Sequence, residues 1–203
     1  EVIDQLSKGK MVTEYSYHHG YWDGGEREFR GFGRVDQRDT ESFDRYHSED
    51  LHGSTPFQSV DTVYYTPPLE TRTWFHLGAV GDGHGDWQAV EFTNEYWQGD
   101  VNVFPPLDDL NSLLKGLPRL AKRDAFRALR GNMLRTEMYA LDGSTLQNLP
   151  YTVTESQFSV EHLFTPPGEE TAGRNFIFFP HGVAQRTTQW ERGNDPMTQL
   201  SFT

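Results

Sequence analysis

The 203-residue sequence contains no cysteine. Disulfides, thiolate metal ligands and a cysteine nucleophile are therefore excluded, and the compartment cannot be read from redox chemistry. No stretch approaches the roughly 18 consecutive apolar residues that span a bilayer as a helix. The opening EVIDQLSKGK lacks the apolar core of a signal peptide, and a first residue other than Met is expected of a processed chain or a piece of a longer one. Positive charge is also scarce. Eighteen Lys and Arg against thirty Asp and Glu leave a formal net charge of -12, with no cationic cluster to offset it, so nucleic acid and anionic membranes are disfavoured partners. Neither a G-x-S-x-G elbow nor a helical His pair with an intervening Glu is present, which leaves hydrolase and zinc readings without support.

Aromatic residues, by contrast, are plentiful at 14% of the chain, and flat rings suit β-sheet faces. At this length a self-sufficient core needs no accessory staple. Residues 11–21 and 26–37 read as two strands around Asp23-Gly24, a type I′ turn signal. That turn sets Tyr15 opposite Phe32, Tyr17 opposite Arg30, His19 opposite Glu28 and Tyr21 opposite Glu26, with Arg30 over the Tyr17 ring as a cation-π pair. On the other face Val12 meets Val35, Ser16 meets Gly31 and Glu14 meets Gly33. The two glycines there open a flat place for another backbone or ring.

Further along, strands are expected at 59–65 and 71–80, with a short strand or helical turn at 87–96. After Phe104-Pro105-Pro106 the pattern turns helical, over 107–115 and 118–130, with Pro118 at the first turn and Gly131 just beyond the end. Strands resume at 132–141 and 151–163, and 174–179 with 182–192 read as a hairpin across Pro180-His181. The fold class is mainly β: antiparallel hairpins with a small helical insertion near 107–130. The chain divides into strand-rich stretches at 1–106 and 132–203 around a helical element at 107–131.

Three sets of residues invite a chemical reading. Glu26-x-Glu28 has the spacing of the carboxylate pair in ADP-ribosyltransferases, but that fold places two further site strands many tens of residues before the pair, and only 25 residues precede Glu26. Arg27 and Arg30 also stand close enough to keep both carboxylates ionised. The two acids are therefore read as cross-strand ion-pair partners. Asp82-Gly83-His84-Gly85-Asp86 lacks the spaced carboxylates of a calcium loop and reads as a solvated turn. The eight histidines read as ordinary strand and loop residues. A line of exposed rings drawn from Tyr15, Tyr17, Tyr21, Trp22, Trp74, Trp87, Tyr96, Trp97 and Trp190 would instead make a carbohydrate-binding module, the main alternative to a structural role.

Read whole, Y-x-Y-H-H-G-Y-x-D-G-x-E-R-E-F-R-G-F-G-x-V at 15–35 resembles the B component of bacterial insecticidal toxin complexes (TcB, of the TcaC and TcdB type), in the Rhs/YD-repeat superfamily to which SpvB is related. PPLETRTWFHLGA at 67–79, FRALRGNMLRTEMYALDGS at 126–144 and PYTVTESQF at 150–158 extend the resemblance over nearly the whole chain, as the middle-to-C-terminal region of that component. The resemblance implies a non-catalytic segment of a hollow, Rhs-type β-shell that encloses a cytotoxic polypeptide, with no cofactor. Its partners would be the C component, the rest of the B component and the enclosed polypeptide, with the A component reached through regions outside this chain. A secreted or cell-surface complex follows, without nucleic acid and without membrane insertion by this segment. The signature residues are Tyr17, Tyr21, Asp23, Gly24, Glu26, Arg27, Glu28, Phe29, Arg30, Gly31, Phe32 and Gly33, a structural rather than catalytic or metal-binding set.

Overall fold

In the computed structural model, residues 2–3, 10–42, 66–81 and 87–203 are described. The strand expected at 59–65 and the Asp82–Asp86 loop lie outside them. Eight strands form one sheet: β1 (Val2–Ile3), β2 (Lys10–Asp23), β3 (Glu28–Ser42), β4 (Leu69–Phe75), β5 (Met133–Ala140), β6 (Thr152–Phe164), β7 (Ile177–Gln189) and β8 (Met197–Phe202). Every strand pairs antiparallel with its neighbour in sequence, so the sheet is a meander running in the order of the chain. Two helices, α1 (Asp108–Gly116) and α2 (Arg119–Ala128), fall between β4 and β5. The mainly β class with a small helical insertion is what the chain adopts.

The helices form where the sequence punctuates them. Asp108 and Asp109 in the first turn of α1 and Lys115 in its last complement the helix dipole. Pro118 precedes α2, and Gly131 follows it at φ +82, a left-handed position that glycine occupies without strain. Gly131 N–H donates to His76 O at 2.8 Å and His76 N–H to Asn132 O at 2.9 Å, so the end of the helical insertion is tied to the end of β4.

The register of the first hairpin differs from the sequence expectation. Tyr17 pairs with Val35 and Gly20 with Phe32, and the ladder closes at Trp22 with Phe29 and Asp23 with Glu28. The connection is a four-residue turn, 24–27, organised by the Asp23 side chain: its Oδ1 accepts from Gly25 N–H at 3.0 Å and Glu26 N–H at 3.1 Å. Arg27, at φ 54, takes the left-handed position, and a bulge lies between Gly20 and Trp22, next to His19 at φ 56. The Tyr15–Phe32, Tyr17–Arg30, His19–Glu28 and Tyr21–Glu26 pairs therefore do not form. Nor do the Val12–Val35, Ser16–Gly31 and Glu14–Gly33 pairs, and of the two glycines only Gly33 is used: the Phe92 ring lies so close that a Cβ there would meet its Cζ at 2.5 Å, whereas Gly31 has open space around it.

Pro180-His181 is not a turn. β7 runs straight through it, with Pro180 paired to Val160 and His181 to Ser159. β8 pairs only with Ala184–Gln189, so Pro180 sits on an edge where a missing N–H is tolerated. β4 ends at Phe75, and Val80 makes an isolated bridge to Gln88 instead of continuing the strand.

Two apolar clusters lie on one side of the sheet. Ala79, Trp87 and Val160 pack against Leu114 of α1, Ala125 and Phe126 of α2 and Leu129 at its end. Trp74 and Leu77 pack against Phe92 and Tyr96 of an irregular strap, residues 92–104. Trp74 is fully buried, at 0% exposure.

Candidate functional site

The register aligns side chains into rows that cross the sheet. On the strap side one row reads His18, Arg34, Trp74, Arg135, Glu155, Arg186, Leu200, and the next reads Ser16, Asp36, Arg72, Glu137, Val153, Thr188, Thr198. Directly opposed residues share a face and touch, so opposite charges in neighbouring strands support one another.

Five charged groups in these rows and the strap form a closed cluster. Arg135 Nε donates to Glu137 Oε1 at 2.7 Å, and Arg135 Nη1 lies 3.0 Å from Asp100 Oδ2. Arg186 grips the Asp100 carboxylate with both terminal nitrogens, at 2.9 and 2.6 Å, and donates to Glu155 Oε2 at 2.7 Å. Arg135 and Glu137 have no solvent exposure, and the other three are buried. The strap is fastened by the same carboxylates. Trp97 N–H donates to Glu137 at 2.9 Å, Phe104 N–H donates to Glu155 at 3.1 Å, and the Arg135 guanidinium lies 4.7 Å from the Tyr96 ring centroid.

Burial alone would raise the pKa of Asp100, but the hydrogen bonds from Arg186 and the charge of Arg135 outweigh it and hold the carboxyl below its ordinary value. Burial, with the neighbouring Glu137 charge, pushes the Tyr139 phenol up, and its O–H donates to Glu137 Oε2 at 2.7 Å. A second group fastens the strap nearer β2. Glu95 meets His19 at 2.8 Å and Arg34 at 3.3 Å, while Arg34 also holds Asp36, which accepts from His18 at 3.0 Å.

The signature residues make a separate contact at the hairpin tip. Asp23 and Arg30 form a buried pair at 2.7 Å. Glu26 pairs with Arg123 of α2, and Glu28 pairs with Arg130 just beyond it. Arg130 also donates from Nε to Arg30 O at 3.0 Å and from Nη2 to Phe29 O at 3.2 Å. Glu26 and Glu28 are thus not cross-strand partners within the hairpin; they fasten its tip to the helical insertion. The hydrogen bond from Arg130 holds the Glu28 carboxyl below its ordinary value. Tyr17 is not near Arg30 in a cation-π pair: its ring packs on Phe32 at 4.7 Å, and Phe32 packs on Phe29 at 5.1 Å. Tyr21 O–H donates to Gly81 O at 3.0 Å. Gly31 is at φ +99, Gly33 backs Phe92, and Gly24 has open space around it.

Sequence reasoning missed Asp100, Arg123, Arg130, Arg135, Glu137, Glu155 and Arg186. The only local signal was Arg135-x-Glu137, two like-facing positions on one strand. Among the described residues no group of three or more His, Asp or Glu is arranged to hold a metal ion. The rings proposed as a sugar platform do not form one line, because Trp74, Trp87 and Tyr96 are core, whereas Tyr15, Tyr17 and Trp22 are exposed.

Comparison with known proteins places the chain. Residues 2–78 match the family described as insecticide toxin TcdB middle/N-terminal region, and residues 124–203 match insecticide toxin TcdB middle/C-terminal region. No curated protein sequence matches significantly. Among solved structures, the TcdB2-TccC3-Cdc42 crystal structure is similar over 99% of this chain and 9% of that chain, at 29% identity and a TM-score of 0.69. TcdB2-TccC3-TEV is similar over the same shares, at 30% identity and a TM-score of 0.68. A Tc holotoxin pore from Photorhabdus luminescens with mutated TccC3 is similar over 98% of this chain and 8% of that chain, at 31% identity and a TM-score of 0.68. The chain therefore spans less than a tenth of the length of the solved chains it resembles. With two models of the same toxin family matching residues 2–78 and 124–203, and a structural likeness over nearly the whole chain at about 30% identity, the chain belongs to the TcdB family of insecticide toxins, as part of its middle region.

Proposed function

We propose that this segment is a stretch of wall in a hollow Rhs-type β-shell that encloses a cytotoxic polypeptide before delivery, and that it acts by structure rather than catalysis. The carrying observation is the continuous eight-stranded meander, whose charged face is sealed by its own strap and helices while none of the described residues covers its other face. A wall needs long paired strands, a rigid backing and an uncovered surface, and this segment has all three. The stretches 1–106, 107–131 and 132–203 serve as one unit, because both strand-rich parts contribute to a single sheet and the helical part backs it. The carboxylates support the non-catalytic reading, since each of Glu26, Glu28, Asp100, Glu137 and Glu155 is held by at least one arginine. The partners are the C component, the remainder of the B component and the enclosed polypeptide, with the A component met elsewhere, in a complex working outside the bacterial cell or at its surface.

The test is protease protection in the assembled B–C complex. The enclosed polypeptide should resist digestion in the parent complex and become sensitive when Arg135→Met opens this part of the wall. Equal sensitivity in the parent complex would remove the shell role. A transferase or hydrolase activity lost on Glu28→Gln, with the fold intact, would remove the non-catalytic one.

A further inference from the structure

The two faces of the sheet divide the charge between them completely along their central rows. On the strap side, seven of the fourteen residues in the two rows are Arg, Asp or Glu. On the opposite side the rows read Tyr17, Val35, Thr73, Thr136, Thr154, Thr187, Gln199 and Tyr15, Gln37, Thr71, Met138, Thr152, Gln189, Met197. None of these fourteen is charged, and none is buried. In the flanking row the Asp39 carboxylate is engaged by Thr13 at 2.7 Å and Gln37 at 2.8 Å. Four threonines follow one another across β4 to β7, with Thr136 donating to Thr73 and Thr154 meeting Thr187, each at 3.4 Å. At the β2–β3 end the surface continues into the contacting rings of Tyr15, Tyr17, Phe32 and Phe29.

Two adjacent seven-strand rows without a charge are unusual on a chain that carries a net charge of -12. Solvent-facing strand positions ordinarily carry charges that keep the protein soluble and discourage sheet association. Along these two rows the face neither attracts nor repels a neighbour by sign, and the flanking Asp39 carboxylate is already engaged by Thr13 and Gln37. Hydroxyl and amide side chains offer hydrogen bonds that exchange with water at little net gain. A polypeptide of any charge could lie against such a surface without being trapped, whereas many weak ion pairs along one chain would add into tight retention.

We propose that this charge-free Thr/Gln/Tyr face is the lumenal surface of the shell, in contact with an enclosed, loosely structured polypeptide, and that the strap and helices face outward. The proposal rests on the shell reading. It also accounts for where the bulk lies: strap and helices set outside the wall take no volume from the cargo.

Because the segment has no cysteine, one introduced thiol is unique within it. Gln189→Cys, exposed on the charge-free face, and Ser112→Cys, exposed on α1 over the other face, are each placed in the full-length B component. The assembled B–C complex is then treated with a maleimide carrying a bulky polymer, and label above that of the parent complex is scored. Denatured samples should label at both sites. In the native complex Ser112→Cys should react while Gln189→Cys stays protected, and a photo-crosslinker attached at Gln189→Cys before assembly should join to the enclosed polypeptide. Protection of Ser112→Cys with labelling of Gln189→Cys would reverse the orientation and overturn the proposal while leaving the shell intact. Labelling of both would overturn the shell reading along with it. Protection of both, or crosslinking to the cargo from Ser112→Cys alone, would also overturn the outward assignment.

Discussion

The hairpin tip and the cluster beneath the strap use the same side chains in the same local spacing, and they do different things. Glu26-Arg27-Glu28 stands at an exposed turn, and its two carboxylates pair directly with Arg123 and Arg130. Arg135-Thr136-Glu137 alternates across a strand, so the threonine goes to the open face while Arg135 and Glu137 go fully inside. Exposed pairs contribute little because water competes for both partners. A buried pair contributes little relative to an apolar core, but losing one member strands the other charge out of water. What distinguishes the two regions is therefore the cost of breaking them and not the chemistry of the pairs.

The largest effect should come from Arg135→Met. The cluster holds three carboxylates, Asp100, Glu137 and Glu155, against two arginines, so removing an arginine deepens an existing imbalance. A loss of about 3 to 5 kcal/mol is expected for breaking a buried pair in this way. Glu155→Gln removes the single surplus negative charge and should cost clearly less. Local opening free energies from hydrogen exchange at β5 and β6 measure both. A cost for Glu155→Gln equal to that of Arg135→Met would mean that charge balance is not what matters there.

Next in size is Asp23→Ala, which removes the partner of buried Arg30 and both turn hydrogen bonds. A loss of about 1.5 to 3 kcal/mol is expected for hydrogen bonds to a charged group. A double-mutant cycle refines this. Asp23→Ala and Arg30→Ala should couple by at least about 0.5 kcal/mol, as contacting residues do. Tyr17→Leu and Arg30→Ala should be additive within about 0.5 kcal/mol, because the two side chains have separate partners. Coupling of the second pair would restore the two-residue turn register. Glu28→Gln should be the mildest change, shifting hydrogen exchange only at the tip.

This contrast also explains what could be read from the sequence. The helices near 107–130 were legible because Pro118, Gly131 and clustered apolar residues mark them locally. The strands of the first hairpin were legible too, but their register was not. It depends on which backbone groups the Asp23 carboxylate captures and on the bulge between Gly20 and Trp22, and neither leaves a distinctive dipeptide. Pro180 read as a break because its edge position depends on β8 stopping at Phe202, and the strand Met197–Phe202, with all its side chains exposed, shows no inward apolar face. The buried cluster was invisible because Asp100, Arg135, Glu155 and Arg186 meet only once four segments are in register.

Acid separates the neutral buried groups from the charged ones. Burial lowers the pKa of His76 from 6.5 to about 4, so between those values the unfolded chain binds a proton that the fold refuses. Stability should fall as pH drops through this window, and His76→Gln should remove that stage. Asp36 and Asp100, both held below their ordinary values, contribute stability at higher pH that is lost as pH falls further, through their depressed values. Opening free energies of β4 and β5 amides against pH should therefore fall in two stages in the parent protein. A single stage unaffected by His76→Gln would contradict the assignment.

The most direct test of the buried cluster as the fastening of the strap is hydrogen exchange on the full-length B component carrying Arg135→Met. The expected result is faster exchange over the strap, residues 92–104, where Trp97 and Phe104 amides donate to Glu137 and Glu155, with the hairpin tip at 23–33 unchanged. An unchanged strap, or equal acceleration at strap and tip, would contradict it.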